Sequence, residues 1–133
     1  MSKRLPTNPY GKVAQSYANQ GKKQEDRRET EAKALLKAAR MLQDLQSSWD
    51  SRSSQKIEDA LKFNRQIWVI FYDNAINTSN ENTSTLSGNV VNLANFVFRR
   101  SMEILAAPEP DKLNILININ REVANGLMSK SSQ

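Results

Sequence analysis

The sequence predicts an all-α fold: a small helical bundle of four main helices plus a short N-terminal amphipathic helix. Three observations carry this. Apolar residues recur three and four positions apart through four long segments. Polar or proline-containing breaks separate those segments. Only one segment alternates as a strand would, and no second one exists to pair with it.

At 133 residues the chain suits one domain with a real core. Residues 1–7 read as a flexible lead, 8–128 as a single helical bundle domain, and 129–133 as a flexible tail. Asn8-Pro9 starts the short helix, since Asn caps and Pro fits the first helical position. Tyr10, Val13, Ala14 and Tyr17 give it an apolar face to about residue 19, and Gly21 ends it.

The second helix spans about residues 26–48, with Ala32, Leu35, Leu36, Ala39, Leu42 and Leu45 as its buried stripe. Glu29 and Lys33 form a favourable i,i+4 pair. After a polar turn at residues 49–54, Ser54 caps a third helix over about 55–76. Its second half, Ile67-Trp68-Val69-Ile70-Phe71-Tyr72, is apolar nearly all round, which predicts a central helix. Residues 77–85 hold no apolar side chain and read as a mobile loop.

The fourth helix covers about 86–106, with Val90, Leu93, Ala94, Val97, Ser101, Ile104 and Leu105 on one side. Pro108 and Pro110 stop it, and Pro110 opens the fifth segment, to about residue 128. There Ile115, Ile117 and Ile119 alternate like a strand, but Leu113, Leu116, Asn120, Val123 and Leu127 follow a helix. The helical reading prevails because the pattern continues smoothly to Met128.

Composition narrows the function. No cysteine means no disulfide or thiolate chemistry, and no histidine removes the commonest general base and metal ligand. Phosphate-cradling glycine motifs are missing too. The chain is therefore not expected to be an enzyme, and no cofactor or metal is expected. It holds no apolar run of about 20 residues, so no membrane insertion is expected. Its first residues carry charge without an apolar run behind it, unlike a signal peptide. Residues 1–40 hold ten Lys/Arg against four acids, whereas 41–133 hold nine against ten. That basic front is either a solvated helix face or a surface for RNA or an acidic partner.

Candidate interaction residues are those whose chemistry conflicts with their surroundings. Tyr10 and Tyr17 share one face of the short helix, which either docks on the bundle or forms part of a partner groove. Trp68 and Phe96, like Trp49 and Phe71, are core residues or interface anchors. Asn64, Arg65, Asn92, Asn118, Asn120 and Arg121 interrupt apolar helices. They build an internal hydrogen-bond network or a polar track for a peptide helix. Arg99 and Arg100 lie beside Glu103 as a surface ion pair.

Three segments together resemble the FlaF family of flagellar regulators from alphaproteobacteria. The first is Trp49 followed by Ala60-Leu61-Lys62-Phe63-Asn64-Arg65-Gln66-Ile67-Trp68-Val69-Ile70-Phe71, similar to that family's Ala-Leu-x-x-Asn-x-x-aliphatic-Trp-x-Ile-Phe. The second is Asn89-Val90-Val91-Asn92-Leu93-Ala94-Asn95-Phe96-Val97-Phe98-Arg99-Arg100. The third runs from Lys112-Leu113-Asn114 through Asn118-Ile119-Asn120-Arg121 to Leu127. Tyr10 and Tyr17 sit where the family has a tyrosine-containing segment. The resemblance implies a cytoplasmic helical protein that binds flagellin as a chaperone-like factor. It implies promotion of flagellin synthesis and export alongside FlbT, which restrains that synthesis. Separately, the unbound chain is expected to be a monomer, the alternative being a bundle that mainly partners FlbT or itself. The basic residues 1–40 belong to no feature of the family and keep open a direct binding of flagellin mRNA.

Overall fold

The computed structural model describes the backbone of residues 9–51, 53–77 and 84–130, and side-chain surroundings for 27–51, 53–77 and 88–129. Four α-helices follow one another: α1 (Pro9–Ser47), α2 (Ser54–Asn77), α3 (Ser84–Ala106) and α4 (Asn114–Lys130). Short 3-10 turns, Trp49–Ser51 and Pro110–Leu113, join α1 to α2 and α3 to α4. There is no strand among the described residues. No helix there is long and apolar enough to cross a membrane. The expected lead (1–7), the centre of the polar loop (78–83) and the last residues (131–133) lie outside the described residues.

The expected short N-terminal helix is the first part of α1, with no break at Gly21. One glycine costs a helix only about 1 kcal/mol relative to alanine. Strong helix formers flank it, and α1 contains no proline beyond its first residue. At 39 residues α1 is about 58 Å long, more than twice the length of α4. Among its described side chains the buried ones are Ala32, Leu35, Ala38, Ala39, Leu42 and Leu45.

Neighbouring helices run antiparallel. Lys37 lies over the Phe63 ring, while Met41 and Ser48 share a cleft with Lys56 and Ala60, so α2 descends along α1. Tyr72 meets Phe98 at 6.1 Å between ring centroids, while Glu58 lies near Leu105, so α3 ascends along α2. α4 returns along α1, where Gln46 reaches Pro110 and Gln43 reaches Arg121. The closest helix pairs are α1 with α4 and α2 with α3. Leu35, Leu42, Leu61, Trp68, Val97, Ile104, Leu113 and Leu116 fill the shared core.

Local chemistry sets the element ends. Ser53, one residue earlier than expected, caps α2: its Oγ accepts the Lys56 backbone N–H at 3.1 Å. At the α3–α4 corner Glu109 is extended, as a residue before proline prefers. The Pro110 segment is a 3-10 turn, and α4 proper begins four residues later than expected. Lys112 Nζ donates to the Ala107 carbonyl at 2.6 Å, and Arg100 Nη1 donates to the Lys112 carbonyl at 3.3 Å. Gln46 Nε2 donates to both the Pro110 carbonyl (2.8 Å) and Asn114 Oδ1 (2.7 Å). These bonds tie the corner to the end of α1.

Candidate functional site

Asn64 and Trp68 are one turn apart on the inner face of α2, opposite Asn120 on α4. All three are buried. Trp68 Nε1–H donates to Asn120 Oδ1 at 3.0 Å, and Asn120 Nδ2 donates to Asn64 Oδ1 at 2.6 Å. The indole can only donate, so Asn120 must present its oxygen to Trp68 and its amide nitrogen to Asn64. Asn64 must then accept. The direction of the chain of bonds is thus fixed by its first member. Asn64 Nδ2 ends the chain, buried and without a hydrogen-bond partner among the described residues. The Phe71 ring stands edge-on to Trp68 at 5.2 Å.

This network lies inside the bundle. For Asn64, Trp68 and Asn120 the internal-network alternative is the arrangement present, and none of the three reaches the surface. The other expected interaction residues are scattered. Asn118 is exposed on α4, and exposed Arg121 donates through Nη2 to Gln43 Oε1 at 2.6 Å. On α3, Asn92 and Arg99 are exposed and Phe96 is half-buried under the Arg100 guanidinium, 5.4 Å from the ring centroid. Arg100, not Arg99, pairs with Glu103, at 3.0 Å. Arg65 is half-buried on the side of α2 facing α3. The side chains of Tyr10 and Tyr17 lie outside the described residues.

What sequence reasoning missed is the outer surface of α2. Val69 is 45% exposed and Ile70 56%, so this helix is not enclosed all round. Together with Phe98 of α3 they line an open groove of about 510 Å³, edged by Lys62, Arg65 and Gln66. Met102, 59% exposed, extends the apolar surface along α3. The signal was present in the sequence. Six consecutive apolar residues exceed what one buried helix face can use, and the surplus must face outward unless neighbours surround the helix.

Two ion pairs run along the described part of α1. Arg27 lies 3.8 Å from Glu31, and Lys33 lies 3.3 Å from Glu29. Partial burial raises the Glu31 carboxyl above its ordinary value of 4.5, against the opposing pull of Arg27 and Arg28.

Compared with known proteins, the chain matches the sequence model of one family, described as flagellar protein FlaF, over residues 13–127. No curated protein and no solved structure matches it.

Proposed function

This chain belongs to the flagellar protein FlaF family, and on that premise we propose that it binds flagellin in the cytoplasm as a chaperone-like factor. In this reading it has no catalytic role, promotes flagellin synthesis and export for filament assembly, and acts alongside FlbT. The observation that carries the reading is the outward apolar surface of Val69, Ile70 and Met102, since among the described residues the other large apolar side chains, apart from Ile76, Ile115 and Met128, are buried or half-buried. Exposed apolar groups clustered beside a groove mark an interaction site. A groove between two helices takes the apolar stripe of a third. An export cargo with helix-forming, apolar ends needs such cover before assembly, and a hold weak enough to release.

The test is calorimetric titration of the purified chain with monomeric flagellin at two salt concentrations. Saturable binding at a defined ratio is expected. Absence of binding at both salt concentrations overturns the proposal. Because Trp68 and Asn120 are buried, substitutions there report on folding. Substitutions that probe contact belong at exposed positions such as Ile70 and Arg99. Adding FlbT to the flagellin complex tests the partnership: a ternary species, or mutual exclusion with a linked affinity change, is expected.

A further inference from the structure

The α2–α3 groove is chemically ordered along its length. Val69, Ile70 and Phe98 supply its apolar part. Arg65 and Lys62 follow one and two turns toward the start of α2, and no carboxylate lines the groove beside them. Neither cation is ion-paired among the described residues, so both are free to meet a carboxylate from outside. Lys62 and Arg65 also line the adjoining cleft near Leu105 together with Glu58 and Asp59. No ion pair joins them to either carboxylate among the described residues, and Asp59 already accepts from Gln55 Nε2 at 2.8 Å.

We infer that this groove seats one amphipathic helix bearing carboxylates one to two turns from its apolar anchors, the anchors packing on Val69, Ile70 and Phe98 and the carboxylates meeting Arg65 and Lys62. Taking that helix to be part of flagellin rests on the function proposed above; the chemistry of the groove does not depend on it. Charge excludes the chain's own front as occupant, since residues 1–40 carry ten Lys/Arg against four acids. A symmetric pairing of two grooves is also disfavoured. It gathers both copies of Lys62 and Arg65 at one interface, while Glu58 and Asp59 line the adjoining cleft on the Leu105 side rather than the groove itself.

The experiment uses the full chain with labelled Val, Ile and Met methyl groups, observed by NMR. Two synthetic amphipathic helical peptides serve as probes, with identical leucine stripes and flanking glutamates in one, lysines in the other. The glutamate peptide is expected to shift the Val69, Ile70 and Met102 methyls saturably and to bind about tenfold or more tighter than the lysine peptide. Lys62→Glu with Arg65→Glu is expected to reverse that preference. Ile70→Ser, at an exposed position outside the core, is expected to weaken both peptides. Equal binding of the two peptides, shifts confined to another face, or no saturation overturns the inference. So does self-association, seen by sedimentation, that the double charge reversal abolishes. Titration with flagellin decides the function separately, so the two ideas fail independently.

Discussion

Asn64→Ala and Asn120→Ala delete the same atoms from two fully buried asparagines, and the network predicts unequal consequences. Removing the Asn64 side chain abolishes the unpartnered Nδ2 and leaves Asn120 Nδ2 without its acceptor, so one orphaned group replaces another. Removing the Asn120 side chain strands the Trp68 indole N–H and Asn64 Oδ1 while Asn64 Nδ2 stays unpaired. Two further buried polar groups then lack partners. At about 1–3 kcal/mol for each such group, Asn120→Ala should lose about 2–6 kcal/mol more stability than Asn64→Ala. The transfer and cavity contributions nearly cancel between the variants, because the deleted atoms are alike and both sites are enclosed. Urea unfolding followed by helical circular dichroism measures the difference as a shift in midpoint at constant slope. Equal losses, or a larger loss for Asn64→Ala, would refute the assignment of Asn120 as the hub and the fixed direction of its bonds.

Trp68→Phe keeps most of the ring but strands only Asn120 Oδ1. Its loss, about 1–3 kcal/mol from that group, should fall below that of Asn120→Ala in the same unfolding assay. Ser101→Ala is expected to stay within about 1 kcal/mol of the parent. The Ser101 hydroxyl donates to the Val97 carbonyl one turn back, a group the helix itself also satisfies. Glu31 carries a pH signature. Its folded value is raised, so the protonated form is favoured by folding, and that contribution is complete below the ordinary value of 4.5. It is lost as pH rises through the folded value. Glu31→Gln should therefore flatten that decline, and unfolding midpoints across acid to neutral pH would show an unchanged slope if the reasoning is wrong.

The stripes on α1, α3 and α4 were legible because each helix buries one face. The expected α1 stripe is buried at Ala32, Leu35, Ala39, Leu42 and Leu45, with Leu36 only half-buried at its edge. The apparent alternation in α4 dissolves on the helix, where Ile117 is buried and Ile115 is 37% exposed. Two readings depended on facts outside any local window. Gly21 was read as a stop, yet propagation from both sides carries the helix through it at modest cost. The apolar run of α2 was read as central, but α3 covers only one flank, leaving Val69 and Ile70 in the open.

Helix periodicity, proline and capping residues act over a few positions, so the sequence by itself determined the all-α class, the order of the helices and most inward-facing positions. Residue types and spacing also carried the family resemblance that the match over residues 13–127 establishes. Only the tertiary structure decided which alternative the amides take. Asn64 and Asn120 lie 56 positions apart, and no local pattern reveals that one accepts what the other donates. It likewise decided that the surplus apolar surface of α2 meets two unpaired cations in a groove rather than another helix. Burial is a property of what surrounds a side chain, and those surroundings come from distant parts of the chain.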